Sequence, residues 1–164
     1  MGGILGVDIG GVIIDKINDN TDTSFFGSNY LHTTAVPGAF EALKTLSGIY
    51  VIHLVSKCGD NIQRKTLEWL AHHDFYDRTG VARENVHFCR RRNEKRGICD
   101  DIGATHFVDD RLEVLSYLSG KMKLYLFNPD EREMQKFSHA LTRVTRADNW
   151  QNLSHVLQQD QNIA

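Results

Sequence analysis

Cysteine and proline are scarce in this chain, three and two among 164 residues, and the formal net charge is only -2. The three thiols, Cys58, Cys89 and Cys99, cannot all pair within one molecule, and none stands in a Cys-x-x-Cys or Cys/His spacing that would hold zinc. A disulfide framework and a structural zinc are thereby excluded, and a reducing, cytoplasmic location is expected. The small charge supplies no global field for DNA, RNA or an anionic membrane, so nucleic acid is not an expected partner. No apolar run approaches the roughly 18 residues of a membrane span. The opening Met1-Gly-Gly-Ile-Leu-Gly has neither the basic nor the long apolar region of a signal peptide.

What is present suits one globular unit. The chain is 41% apolar, and its length is close to the roughly 150 residues of a typical domain, so a single domain over 1–164 with its own core is expected. Residues 4 to 8 form an apolar run closed by Asp8 and broken by Gly10-Gly11, the pattern of a buried strand ending in a tight turn. From about 15 to 34 the composition turns to Asn, Asp, Thr and Ser around Phe25, Phe26 and Tyr30, which reads as a flap. Pro37, at a first helical position, then opens a helix that Gly48 stops. Strand-like runs follow at 50–55, 86–89, 106–108, 123–127 and 143–145, separated by segments with helical spacing. Six strands alternating with helices predict an α/β, three-layer, doubly wound (Rossmann-like) parallel sheet.

Ligands of such sheets bind beyond the carboxyl ends of the strands, where strand order reverses. The residues expected there are Asp8, Ser56 and the pair Asp109-Asp110, with Lys95 opening the helix before the fourth strand. Two carboxylates on one rim repel unless a cation lies between them, and all-oxygen ligation suits Mg2+. Ser56 and Lys95 suit the oxygens of a phosphoryl group, and a carboxylate beside metal-bound phosphate can attack it to form an aspartyl phosphate. Taken singly, Asp8 is a turn acid and Ser56 a cap; the register of the set is what favours a site.

These motifs resemble the haloacid dehalogenase-like (HAD-like) superfamily over nearly the whole chain. Gly6-Val7-Asp8-Ile9-Gly10-Gly11-Val12 is similar to its first motif, His53-Leu54-Val55-Ser56 to its second, Lys95 to its third, and Phe107-Val108-Asp109-Asp110-Arg111 to its fourth. The resemblance implies a magnesium-dependent phosphatase. In it Asp8 is nucleophile and metal ligand, the Gly10 carbonyl and Asp109 are further ligands, and Ser56 and Lys95 hold the phosphoryl group, as Gly10 and Gly11 help to do. It also implies that Asp110 orients Lys95 or a metal-bound water. Lys57 is the rival for the lysine role, but Lys95 lies 14 residues before Asp109, room for a helix and a turn.

The chain departs from the family at Gly10, where phosphatases carry a second Asp that protonates the leaving group. Such acid/base help contributes typically 10²–10⁴-fold. Asp15 and Asp60 are the candidates to replace it, and a HAD-like pseudoenzyme that binds magnesium and a phosphorylated ligand without turnover is the alternative reading. Only 48 residues separate Asp8 from Ser56, which leaves roughly 20 for the flap, too few for a cap domain. An open site is expected, serving a phosphorylated small molecule or macromolecule, with a second copy of the chain (a homo-oligomer) as one means of closing it. The run Arg90-Arg91-Arg92 reads as a solvated loop, the eight histidines lack metal spacing, Cys58 reads as a bystander, and Trp69 and Trp150 read as core. Leu5-Gly-Val-Asp-Ile-Gly-Gly11 also resembles a sugar-kinase phosphate motif, but the chain has no second lobe or second glycine-rich loop.

Overall fold

A computed structural model describes residues 2–16, 25, 27–118 and 120–161. Six strands form one wholly parallel sheet: β1 (Ile4–Val7), β2 (Val51–Lys57), β3 (Val86–Cys89), β4 (His106–Asp109), β5 (Lys123–Phe127) and β6 (Val144–Ala147). Their order is β3-β2-β1-β4-β5-β6, so the sheet winds one way from β1 to β3 and the other way from β4 to β6. The direction reverses between β1 and β4, which pair as Leu5 with His106, Gly6 with Phe107 and Val7 with Val108. All six strand-like runs in the sequence are therefore strands, as a doubly wound sheet requires.

Helices cover both faces, giving the three layers. On one face α1 (Ala39–Leu46), α2 (Asp60–His72), α3 (Phe75–Thr79) and α7 (Trp150–Gln159) bury Leu43, Trp69, Phe75 and Leu153 against Leu5, Val7, Ile52 and Leu54. On the other, α4 (Lys95–Ile102), α5 (Leu112–Tyr117) and α6 (Glu131–Lys136) pack Cys99, Leu115 and Met134 on Val55, Phe107, Leu124 and Leu126. A sheet buried on both faces needs strands that are apolar throughout rather than alternating. At Gly6 a Cβ would stand 2.4 Å from the Phe107 ring, so only glycine lets that ring cross β1.

Three expectations shift. Pro37 is not the first helical residue, because Gly38 intervenes at φ 80°, outside helical geometry, and α1 begins at Ala39. Ser56 lies within β2 rather than in the loop after it. The five-residue α3 has no counterpart in the sequence reading. Trp69 and Trp150 are core, at 0% and 1% exposure, but each indole N–H also donates to a loop carbonyl, Thr33 at 2.9 Å and Val12 at 2.7 Å.

Candidate active site

The carboxyl ends of β1, β2 and β4 open into a cleft of about 530 Å³. Asp8, Gly10, Ser56, Lys95, Asp109 and Asp110 all line it, so six of the seven site residues expected from sequence converge at the switch point. Asp8 follows β1 directly, and its N–H donates to the Val108 carbonyl at 3.0 Å, which ties the start of the turn to β4. The Ile9 carbonyl then accepts the N–H groups of Val12, Ile13 and Ile14 at 2.8–3.2 Å. That compact turn holds Asp8 on the rim.

Lys95 is the centre of the arrangement. Its ammonium is 2% exposed and donates to Asp8 Oδ1 at 3.0 Å and Asp109 Oδ2 at 2.8 Å. A lysine in the first turn of α4 works against the helix dipole, and the two carboxylates offset that penalty. Lys57, by contrast, is exposed on the rim, so the structure separates the two lysines that the sequence left in competition. The other oxygen of Asp109 accepts the Arg111 N–H at 3.0 Å, which fixes its rotamer.

The negative charge here exceeds what Lys95 cancels. Asp8, Asp109 and Asp110 each place a carboxylate oxygen within 4.8 Å of the others. Burial lifts the Asp8 carboxyl well above the usual carboxylate range, and the nearby charge of Asp109 adds to the rise against the pull of Lys95. Burial also lifts Asp109, again opposed by Lys95. Burial alone would lower Lys95, but the charges of Asp109 and Asp8 outweigh it and hold the ammonium above its ordinary value. The lysine stays charged, and the carboxylates remain short of positive charge.

Two expectations are corrected. Asp110 does not orient Lys95: its Oδ2 is bonded by the Lys16 ammonium at 2.6 Å, from the root of the flap. Gly11 does not offer its amide to a ligand, because that N–H donates to the Ile14 carbonyl at 2.8 Å. Its role is space, since at φ +80 a Cβ would sit 2.6 Å from Asp110 Oδ2 and 2.9 Å from Lys16 Cε. Lys16 escaped the sequence reading because a lone lysine in a polar stretch carries no periodic signal.

The candidate replacements for the missing acid also separate. Asp60 is paired with Arg90 and lies outside the cleft lining, whereas Asp15 is part of it. Asp15 N–H donates to the Thr34 carbonyl at 2.9 Å, and Val36 N–H to the Ile13 carbonyl at 2.8 Å, which zips together the two ends of the flap. The flap interior, residues 17–24 and 26, lies outside the described residues. Arg90 ties β3 to β2 through the Cys58 carbonyl at 2.9 Å, and Arg92 reaches the cleft. Cys58 lines the cleft too, but burial pushes its thiol up, which disfavours the thiolate.

No protein-family model matches the chain, and no curated protein resembles it in sequence. Solved structures resemble it in fold. A protein from Burkholderia xenovorans LB400, described as a haloacid dehalogenase-like hydrolase, superposes with a TM-score of 0.68, covering 99% of both chains at 12% identity. The chain has the haloacid dehalogenase-like fold. A dehalogenase solved with an intermediate complex shares that HAD-like fold at a TM-score of 0.64 and 12% identity, over 98% of this chain and 97% of the other. A class C acid phosphatase from Bacillus anthracis, with tungstate bound, matches at 0.54 and 16% identity, over 98% of this chain but 64% of its own. Among the described residues no helix is long and apolar enough to cross a membrane.

Proposed function

We propose that this chain is a HAD-like, magnesium-dependent phosphohydrolase that works through an aspartyl phosphate on Asp8. One observation carries the reading: buried Asp8 and Asp109 meet at the switch point with Lys95 bonded to both and Asp110 within reach. The donors are all oxygen and carry an excess of negative charge, which fits a small divalent cation. Asp8, the Gly10 carbonyl and Asp109 would hold Mg2+, with Asp110 at its edge. Bound there, the metal supplies charge neutralisation for the carboxylates and for phosphoryl oxygens.

The chain's own groups divide the remaining work. Asp8 supplies the attacking carboxylate. Lys95 has three N–H donors, of which two serve Asp8 and Asp109, leaving the third for a phosphoryl oxygen. The Ser56 hydroxyl, on the neighbouring strand, supplies a further donor. The substrate is a phosphorylated small molecule or macromolecule, admitted through a cleft over which the described residues form no cap domain. Specificity then falls to the flap at about 15–34 or to a second copy of the chain. The three free thiols fit a cytoplasmic setting.

Gly10 favours a second reading, a binder of magnesium and a phosphorylated ligand without turnover. Release of phosphate from an aryl phosphate, dependent on magnesium and abolished by Asp8→Asn, separates them. Magnesium binding with no release from wild type would leave the binder. Halide release from a haloacid, also abolished by Asp8→Asn, would instead place the chemistry with the dehalogenase neighbour.

A further inference from the structure

We propose that the substrates of this site are aryl phosphates, monoesters whose leaving oxygen departs without a proton and whose ring packs against Phe25. The proposal rests on the phosphohydrolase reading and narrows it to a substrate class. Its first support is position 10. A Cβ built on Gly10 meets nothing within 4 Å, and the residue is exposed on the cleft. Packing therefore leaves room for a carboxylate that the chain does not use. At Gly11, one residue on, both conformation and crowding demand glycine.

With no carboxylate at position 10 to protonate it, the leaving oxygen keeps the electron pair of the breaking P–O bond. An alkoxide is about as basic as hydroxide, whose conjugate acid, water, ionises near 15.7. A phenoxide, with a conjugate acid near 10 on the tyrosine scale, leaves far more readily. Glycine at position 10 thus sorts substrates by leaving group, and protonation by Asp15, which also lines the cleft, would abolish that sorting.

The second support is one aromatic residue, Phe25, held at the cleft by contacts to α2 and Tyr30. Lys65, about nine-tenths buried, donates to the Phe25 carbonyl at 2.9 Å, and its ammonium lies 4.9 Å from the Tyr30 ring centroid. The Phe25 and Tyr30 rings meet edge to face at 6.1 Å, and the Tyr30 hydroxyl is anchored on Glu68 at 2.6 Å. Phe25 is thereby fixed at the cleft with Ile14 and Ile62 in the same lining. A planar apolar leaving group fits that surface better than a polyol. Ring packing of this kind is worth a few-fold to about tenfold in affinity.

An Asp8 oxygen bonds to phosphorus while the P–O(aryl) bond breaks, and the phenoxide takes a proton from water. A water molecule then attacks the phosphorus of the aspartyl phosphate, restoring the Asp8 carboxylate and releasing inorganic phosphate; the proton it loses replaces the one the phenoxide took. A carboxylate at position 10 would also have activated that water, so dephosphorylation is the slow step and the phosphorylated protein accumulates.

The test uses the full chain with magnesium and three substrates: para-nitrophenyl phosphate, glycerol phosphate, and acetyl phosphate, whose leaving carboxylate needs neither a proton nor a ring pocket. Rapid mixing with the aryl ester is expected to give a stoichiometric burst of nitrophenolate before a slower steady state. Its kcat/KM should exceed that of glycerol phosphate by about 100-fold or more, and Gly10→Asp should narrow the ratio. Phe25→Ala, and the milder Phe25→Leu, should raise KM for the aryl ester several-fold more than KM for acetyl phosphate. Glycerol phosphate turned over within a few-fold of the aryl ester, an unchanged ratio in Gly10→Asp, or equal losses on both probes in the Phe25 variants would overturn the substrate class while the phosphohydrolase reading stands. No magnesium-dependent release of phosphate from any of the three would overturn that reading itself, and the substrate class with it.

Discussion

Replacing Lys95 by methionine keeps most of the side chain's length and removes its charge, so the loss falls on two hydrogen bonds, 3.0 Å to Asp8 and 2.8 Å to Asp109. Both partners are nearly inaccessible, at 7% and 1% exposure, so water replaces the ammonium poorly. Breaking a buried ion pair by deleting one partner costs about 3–5 kcal/mol. For a chain of this length that corresponds to a fall in Tm of roughly 6–20 °C. The deficit should also depend on pH. Burial already holds both carboxyls above their ordinary range, and losing Lys95 raises them further. A carboxyl whose folded pKa lies above its unfolded value costs stability once pH rises through the folded value, and that cost vanishes in acid. The gap between wild type and Lys95→Met should therefore be widest at neutral pH and shrink as pH falls toward about 4. Urea denaturation in the absence of metal, run across that range, measures it. A variant as stable as wild type at neutral pH, or a deficit that ignores pH, would refute the claim that Lys95 neutralises a buried acidic pair.

Magnesium at 100 times its Kd should add about 2.7 kcal/mol of stability, and Asp109→Asn should erase most of that gain; thermal melts with and without metal check both. Gly11→Ala should cost at least about 1–2 kcal/mol because of its φ of +80 and its contact with Asp110, whereas Gly10→Ala should stay within about 0.5 kcal/mol; equal effects in urea melts would contradict the geometry of this turn. Trp150→Phe removes the indole N–H that holds the Val12 carbonyl, and the orphaned acceptor should cost about 1–3 kcal/mol, readable as a lower denaturation midpoint.

Much of the site was legible because a parallel sheet simplifies its own sequence. Strands buried on both faces are short apolar runs, and the first polar residue at each carboxyl end is aimed at the rim, which is how Asp8, Ser56 and Asp109 stood out. Lys95 was legible through its 14-residue distance from Asp109, and the structure explains why a lysine tolerates a helix N-terminus there. The remainder depended on contacts between segments far apart in the chain. Lys16 meets Asp110 across 94 residues, and nothing in the composition of the flap points to that pairing. Of the two roles expected of Asp110, orienting Lys95 fails for the same reason: adjacency to Asp109 does not tell which lysine it faces. Helix α3 is too short, at five residues, to show a 3.6-residue period. That the Gly11 N–H is taken by the Ile14 carbonyl depends on a turn that the sequence does not show.

On the proposed mechanism Asp8 becomes phosphorylated during turnover. Intact-protein mass spectrometry after acid quench, with para-nitrophenyl phosphate and magnesium, tests it most directly. Wild type should gain the mass of one phosphoryl group, mapped to the peptide containing Asp8, and should lose it when magnesium is withheld or Asp8 is replaced by Asn. Phosphate release from wild type with no phosphorylated species, or a label that persists in Asp8→Asn, would contradict the account.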